Sequence, residues 1–553
     1  MAKHSASVAA GTVRHGLRLP GVSVVLAVVT AAVYLPYFKD TFGLDTVNQL
    51  AGNRMDGVWE GQGRAGLAFA GRLVFPRYTM AANLLAPFLA MAVLVAAGVL
   101  LYSLVVKHVP GITTTAALVA VLTFINNPVT YSQLYFKLQA VQLAVGLLLV
   151  IAVGVCWLNA SWKPVRVVLL SSVVLGGAFF IYQTLAFFAV SLALFWMVFV
   201  ESRRKSLIAV SAASIALGTV LYELVNTIYT RSRGLRASSS MSYFGQFVSW
   251  NKLVTLQTNR ARLSAVLLVC FLALALILAT RAARASGLWS TKFWLVLFVC
   301  SIFFIAVAFG NFLLPPRVYF GTFNIVCAGI IVAFGQRTGT VWMRRAVRGS
   351  FAVASVLALS VFALSLRSNT VYGQDKAIRQ QIEKGLNTAG ITRDNAPQWT
   401  LLFCGSVSSA NGGAVLKALD AVTTGNRSAS LFAVGEQTGW AYNFLGLDGY
   451  HFATTRTTTA CVKPDATSPV LVSANRQTSA VTVNLAVARP WGGAPRKGQS
   501  ARRGRNRVGE PVARCCRLAR RTRFGGPRRQ ARPPKSLPTR SAVAPGRSPT
   551  ARW

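Results

Sequence analysis

The feature that most constrains this chain is a series of apolar blocks separated by short basic loops. A helix of about 20 residues, at roughly 1.5 Å per residue, covers a bilayer hydrocarbon core of roughly 30 Å. Inside lipid, every backbone amide must be bonded within its own segment, so we expect the blocks to be helices. Hydrophobic residues make up 53% of the chain and charged residues 13%, which excludes a soluble globular protein.

The block at 167–200 is too long for one span. As a single helix its 34 residues would measure about 51 Å. Basic residues flank both of its ends, and Tyr182-Gln183 marks a polar turn inside it. We therefore predict two short spans here and about eleven in total. The ten apolar blocks lie at approximately 21–37, 79–106, 111–125, 138–158, 167–200, 206–228, 263–280, 293–314, 318–335 and 349–366.

The basic loops alternate with the blocks as the positive-inside rule requires for a cytoplasmic N-terminus. Residues 1–20 are then cytoplasmic, and residues 21–366 form the transmembrane domain of a multi-pass protein of the cytoplasmic membrane. Residues 367–488 mix polar residues with short apolar stretches, which indicates a small extracytoplasmic α/β domain. The outer face then receives the loops 38–78, 126–137 and 229–262, the Tyr182-Gln183 turn and the Pro315-Pro316-Arg317 turn. Loop 229–262 is basic and departs from the rule, which long loops obey poorly.

The last segment, 489–553, contains 19 Lys and Arg and one acidic residue. It has no hydrophobic periodicity, so we expect a disordered basic tail. Two interpretations remain open: a native tail, or a frameshift in GC-rich DNA that replaced the true C-terminus. Because the formal net charge of +44 belongs to the loops and this tail, we expect no nucleic-acid partner. The predicted fold is an all-α polytopic membrane protein with a small outer α/β domain.

The acidic residues are concentrated in one outer loop. Only six of the 14 occur before residue 370, and four of these lie between the first two blocks: Asp40, Asp45, Asp56 and Glu60. Ionisable groups beside a membrane are functional candidates, although simple solvation of an outer loop is the alternative. Arg64 on this loop and Arg317 in an outer turn are candidate phosphate ligands, since guanidinium suits bidentate phosphate binding. Headgroup binding is the alternative for both arginines.

Three segments carry a resemblance to a known family: FGLDTVNQL, then GQGRAGLAF, and later FFIYQTLAF inside the split block. In this order they resemble the type II O-antigen glucosyltransferase family of bacteria and phages. That family is GT-C-like and uses polyprenyl-phosphate sugars, and the resemblance spans most of residues 21–366. It implies functional roles for Gly63-Arg64 and Tyr182-Gln183. The family's paired acids fall on Asp45-Thr46, so Asp40 or Glu60 would have to replace the second acid.

Sugar transfer from a lipid phosphate needs a base for the acceptor hydroxyl and cations for the departing phosphate. We assign Asp45, with Asp40 as the second candidate, as the base of a single inverting displacement. Arg64, Glu60, Tyr182, Gln183 and Arg317 are the predicted substrate-binding residues. The expected partners are a polyprenyl-phosphate sugar, with glucose as the expected sugar, a surface glycan acceptor and membrane lipids.

The sequence has no nucleotide-binding motif, which agrees with a lipid-linked donor. It shows no clear metal site, although the acidic loop could hold a divalent cation such as Mg or Mn. Two other functions remain open. A transporter or flippase of lipid-linked sugars predicts internal repeats and acids at the bilayer midplane, and neither is found. A non-catalytic membrane scaffold would explain the outer domain but would leave the acidic loop without a role.

Overall fold

The computed structural model describes most of the chain up to residue 485. The described ranges are 19–39, 41, 44–50, 59–60, 64–234, 259–287, 289–305, 316–336, 341–404, 431–432, 438–458 and 472–485. Asp40 and the predicted tail 489–553 lie outside them, and so does the side chain of Asp45. The chain divides after Gly492 into two units, and only the first unit holds described residues.

Fourteen α-helices precede the first strand in the described part of the chain. They are α1 Leu19–Val33, α2 Leu44–Leu50, α3 Ala65–Val74, α4 Met80–His108, α5 Thr114–Ile125, α6 Pro128–Leu134, α7 Lys137–Leu158, α8 Pro164–Ile181, α9 Leu185–Phe199, α10 Arg204–Ser232, α11 Asn259–Ser286, α12 Thr291–Cys300, α13 Thr322–Gly335 and α14 Val341–Thr388. Each predicted apolar block overlaps one of these helices, and the long block overlaps two.

The long block divides where its polar pair lies. Helix α8 ends at Ile181, and α9 begins at Leu185. Tyr182 between them is extended, with φ −154° and ψ 111°, so the helix cannot continue through it. The two helices measure about 27 Å and about 23 Å at the standard rise, in place of one helix too long for the bilayer.

Five helices of the described chain are long and apolar enough to cross a membrane: Met80–His108, Lys137–Leu158, Pro164–Ile181, Glu201–Ser232 and Arg345–Thr388. Shorter apolar helices lie at Leu19–Val33, Ala65–Val74, Leu185–Phe199, Thr291–Phe303 and Thr322–Gly335. The protein is therefore mostly helical and polytopic. The count of eleven spans stays a prediction.

Helices α8 and α10 pack through small residues, as membrane helices do. A Cβ on Gly176 would lie 3.3 Å from the carbonyl oxygen of Gly218. One turn away, the Ser172 hydroxyl donates to the carbonyl of Ser214 at 3.2 Å. Each helix thus presents a serine and a glycine four residues apart, which lets the two backbones approach closely.

The outward faces of the helices are apolar. On α10, Val220, Leu224 and Ile228 are spaced one turn apart and are all more than half exposed. Leu84 and Phe88 form a similar exposed pair on α4. A soluble protein rarely exposes such contiguous apolar stripes. Here they are the surfaces that lipid would cover.

Hydrogen bonds between distant segments at the ends of the bundle fall into two groups. In one group, Arg203 donates to the carbonyl of Leu158 at 2.6 Å, and Gln336 donates to that of Pro110 at 3.2 Å. These residues come from loops predicted to be cytoplasmic.

The second group comes from segments predicted to lie outside. Asn369 donates to the carbonyl of Pro36 at 2.7 Å. The hydroxyls of Tyr131 and Ser368 are 2.8 Å apart. We call this second group the polar end of the bundle.

Helix α14 joins the bundle to the C-terminal domain without a break. Its 48 residues span about 72 Å, more than twice the hydrocarbon core of a bilayer. The apolar stretch predicted at 349–366 occupies its first half, so the predicted boundary at 367 falls inside a continuous helix. Its last turns enter a second hydrophobic core through Ile378, Ile382 and Leu386.

The C-terminal domain contains a four-stranded mixed sheet. Its elements are β1 Thr400–Cys404, α15 Thr438–Gly446, β2 Thr454–Thr458, β3 Val472–Asn475 and β4 Ala480–Asn484. The strand order is β2-β1-β4-β3, with β1 parallel to both neighbours and β3 antiparallel to β4. Leu401, Phe403, Val481 and Val483 of the two central strands are buried with Phe444 of α15 in the second core. We use the name outer domain, after its predicted side of the membrane, for the last turns of α14 and the described residues from there to 485.

Candidate active site

Three of the predicted substrate-binding residues meet at the polar end. The Nε of Arg64 donates to Oε1 of Gln183 at 3.4 Å. Its guanidinium lies over the ring of Tyr182, 4.7 Å from the centroid. Tyr182 is almost fully buried. Residues 119 positions apart in the sequence are thereby brought into one cluster.

Close packing of α3 on α8 produces this cluster. Gly66 lies against the backbone of Phe180, where an added Cβ would come within 2.5 Å of the carbonyl carbon. Since backbone atoms cannot move aside as a flexible side chain could, only glycine fits. Arg64 immediately precedes α3, so its side chain reaches the turn between α8 and α9.

Arg64 retains binding capacity in this arrangement. Its guanidinium carries five N–H donors, and the bond to Gln183 is the only one assigned to it among the described residues. Contact with the Tyr182 ring and the bond to Gln183 restrain the guanidinium, which reduces the entropy lost when an anion binds. The cluster can therefore present a flat, oriented cation to a phosphate group.

Glu60 has structural partners instead. Its side chain is buried, and Oε1 accepts from Arg72 at 2.9 Å and from the Tyr229 hydroxyl at 2.8 Å. Arg72 belongs to α3 and Tyr229 to α10. These bonds tie the first outer loop to two helices. The predicted role of Glu60 in substrate binding stays a prediction.

Arg317 lies in a 3₁₀ helix, Pro316–Tyr319. Its guanidinium lies over the ring of Phe136, 5.5 Å from the centroid. Arg317 thus contacts residues other than those of the Arg64 cluster, at the segment that leads into α7.

A second cation beside Phe136 was missed by the sequence analysis. Lys137 is 2% exposed, donates to the carbonyl oxygen of Lys39, and lies 5.4 Å from the ring centroid of Tyr37. A signal for it exists in the sequence. Lys137 is the only basic residue of the predicted outer loop 126–137, where the positive-inside rule disfavours one.

The predicted outer loop 126–137 is buried in the bundle for most of its length. It forms α6, in which every residue is buried. The Asn127 side chain caps the helix by accepting from the N–H groups of Val129 and Thr130. Buried backbone at such a position must be bonded by protein or line a polar cavity.

Two glutamine side chains near α6 keep open acceptors. The Oε1 atoms of Gln133 and Gln142 are buried and have no hydrogen-bond partner among the described residues. Gln142 also lies beside α3, where a Cβ on Gly71 would be 3.4 Å from its Nε2. Amides of this kind are suited to sugar hydroxyls, since they both donate and accept.

Helix α2 carries position 45 and contacts the outer domain. Val47 is fully buried in the second hydrophobic core. The Oδ1 of Asn48 accepts from Nδ2 of Asn443 at 2.6 Å. Gln49 is buried, and its Nε2 has no partner in the described part of the chain. No pattern in the sequence indicated that residues 395 positions apart would meet here.

The predicted catalytic acids are only partly located. Asp40 lies outside the described residues, and for Asp45 the structure gives the backbone alone, in the first turn of α2. Among the described residues, no three His, Cys, Asp or Glu side chains form a group that could hold a metal ion. The Mg or Mn ion considered for the acidic loop stays a prediction.

These features define a class of protein: a polytopic helical membrane protein with a polar, cation-bearing site at one end of its bundle. Residues 37–250, about two-fifths of the chain, match the model of the family described as Glucosyl transferase GtrII. This match confirms the resemblance to the type II O-antigen glucosyltransferases and identifies the protein as a glycosyltransferase. No curated protein and no solved structure matches the chain.

The matched region contains most of the candidate site. Asp40, Asp45, Glu60, Arg64, Tyr182 and Gln183 all fall within it. Arg317 and the outer domain lie beyond it, so the family match carries no information about their roles.

Proposed function

We propose that this protein transfers glucose from a polyprenyl-phosphate donor to a surface glycan, such as O-antigen, on the outer face of the cytoplasmic membrane. The observation that carries the proposal is the cluster of Arg64, Tyr182 and Gln183 inside the region that matches a glucosyl transferase family. The cluster offers an oriented cation beside an aromatic ring and an amide. A lipid-linked sugar phosphate needs this combination of groups.

The proposed reaction is a single inverting displacement. An acceptor hydroxyl oxygen attacks the anomeric carbon, and its proton passes to the carboxylate of Asp45. The bond from the anomeric carbon to the phosphate oxygen breaks, and its electron pair leaves with the phosphate. Arg64 and Arg317 stabilise the charge that develops on that phosphate. Gln49 is an amide available to the sugar hydroxyls, since its Nε2 has no partner among the described residues.

The proposed topology has eleven spans, a cytoplasmic N-terminus, and the polar end and outer domain outside. The disulfide bond of Cys404, the last residue of β1, supports this orientation. Disulfides persist in oxidising compartments and are rare in the cytosol. The sequence has one other cysteine between residues 367 and 488, Cys461, which lies outside the described residues and is the proposed partner.

Replacing Asp45 with Asn tests the proposed chemistry, because it removes the carboxylate and keeps the shape. We expect normal insertion and a rate of glucose transfer lower by about 10²–10⁴-fold, the usual contribution of a general base. Asp40→Asn is the matched control and should lose less, since Asp40 directly follows Lys39 and is the more natural ion-pair partner. Near wild-type transfer by Asp45→Asn with an inactive Asp40→Asn would mean that the base is misassigned.

A further inference from the structure

Helix α2 lies between the two hydrophobic cores of the protein. Val47 is fully buried in the core of the outer domain. Leu50, one turn later, packs against that core and also against the core of the bundle. A helix of seven residues is far too short to be stable alone in water. The position of α2 therefore depends on the surfaces that hold it.

A hydrogen bond and apolar contacts, among the described residues, join α2 to the outer domain. Asn443 of α15 donates to Oδ1 of Asn48 at 2.6 Å, and Asn443 is itself buried. Val47 supplies an apolar contact. Successive helical residues are rotated by about 100°, so position 45 falls about 200° from Val47. Position 45 is then on the face of α2 opposite to Val47, whereas Asn48, three residues later, falls only about 60° from it. The outer domain therefore contacts α2 on both of these sides.

We propose that the outer domain is part of the catalytic apparatus and positions α2, with Asn443 and Val47 as positioning residues for the base. The inference rests on the proposed function, in which Asp45 accepts the proton. Val47 and the bond between Asn48 and Asn443 fix the rotation of α2 about its axis and its position along that axis. The backbone at position 45 is thereby held in place by contacts with the outer domain.

A double-mutant cycle in the full-length protein tests this inference. Native membranes carrying each variant receive polyprenyl-phosphate glucose with a radiolabel, and label in the surface polysaccharide is measured. Asn48→Ala and Asn443→Ala should each lower kcat by roughly 10–100-fold, the scale of a 1 Å misplacement of a reacting group. The KM for the donor should not change. The double variant should be no slower than the slower single variant, because both changes remove the same bond.

Two further variants separate positioning from loss of stability. Asn443→Asp should retain most of the activity, since the Asn48 amide can turn over and donate to the new carboxylate. Asn395→Ala is the matched control in the same domain. Asn395 stabilises the turn before β1 through Gly390 and Thr392 and has no bond to α2. It should leave kcat unchanged even if it lowers the stability of the outer domain.

The outcomes also separate this inference from the proposed function. If Asp45→Asn is inactive while Asn48→Ala and Asn443→Ala keep wild-type kcat, positioning by the outer domain is refuted and the general base stands. Equal loss of kcat in Asn395→Ala, or losses that multiply in the double variant, would also refute positioning. If Asp45→Asn transfers sugar normally, both ideas fail.

Discussion

The side chain of Arg64 carries a positive charge, contacts the ring of Tyr182 and donates a hydrogen bond to Gln183. Both contacts depend on its planar guanidinium group. We expect Arg64→Lys to keep the charge but lose the stacking on Tyr182 and the bidentate geometry. A charge-assisted hydrogen bond contributes about 1.5–3 kcal/mol, so kcat/KM for the donor should fall by roughly 10–100-fold. Initial rates against donor concentration measure this.

Arg77 provides the matched control for that substitution. It is an exposed arginine that follows α3, and Arg77→Lys should leave kcat/KM unchanged. If Arg64→Lys also behaves like wild type, the phosphate is bound without Arg64, by Arg317 with Lys137 as the next candidate.

The family resemblance predicted roles for Arg64, Tyr182 and Gln183, and the structure brings these three side chains together. The sequence did not identify Lys137, Asn443 or the contacts of Glu60. The bond from Glu60 to Tyr229 joins two outer segments that are 169 positions apart. Because periodicity and composition describe one segment at a time, they carry no information about which distant segments meet.

At the scale of elements, the last part of α14 carries a carboxyl group, Glu383, that should make the stability of the outer domain depend on pH. Glu383 lies beyond the apolar part of the helix, one turn after Arg379 on the same helix and close to Asp448. Burial raises the pKa of the Glu383 carboxyl from 4.5 to about 7, and the neighbouring Asp448 raises it in the same direction, while Arg379 and Arg393 oppose the shift. Tyr450 also faces Glu383.

The raised pKa of Glu383 fixes the sign of the effect. Between about pH 4.5 and 7 the folded state retains a proton that the unfolded state loses, so the free energy of unfolding falls as the pH rises through this window. Glu383→Gln should remove this dependence, because the amide keeps the neutral form. Hydrogen exchange of the amides of β1, corrected for intrinsic rates, measures this free energy of unfolding. The comparison is between about pH 5 and about pH 7.5.

Asp394 is the control for this prediction. It is an exposed acid of the same domain, and Asp394→Asn should respond to pH as the wild type does. A steep pH response that persists in Glu383→Gln would place its origin in another group.

Sequence patterns located the helices well and the loops poorly. The split of block 167–200 followed from helix length and the polar pair, and α8 and α9 end and begin there. The loop 126–137 was expected on the outer surface, whereas α6 is buried. Its apolar residues are too few to form a span. Only the surrounding helices, which the sequence does not arrange, could show that it packs inside the bundle.

At the scale of the whole molecule, the two groups of helix ends can be assigned to the two sides of the membrane by labelling. Thr370, just beyond the bond between Asn369 and Pro36, and Ser161, between α7 and α8, are both exposed. In a background without accessible native cysteines, Thr370→Cys should react with an impermeant maleimide in intact cells. Ser161→Cys should react only after permeabilisation.

Labelling of both positions from the same side would contradict the alternating topology. Labelling of Ser161→Cys alone in intact cells would reverse the orientation and place the polar end in the cytoplasm, where nucleotide sugars are available as donors. This reversed orientation would remove the basis for a lipid-linked donor.

The most direct test of the central claim uses right-side-out membrane vesicles that contain the protein and its native glycan acceptor. We expect radiolabelled glucose to pass from external polyprenyl-phosphate glucose into the surface polysaccharide, and no label to pass from an external nucleotide sugar. Vesicles with Asp45→Asn should incorporate almost none. Incorporation from the nucleotide sugar alone, or movement of the labelled lipid across the bilayer without labelled polysaccharide, would contradict outer-face transfer from a lipid phosphate.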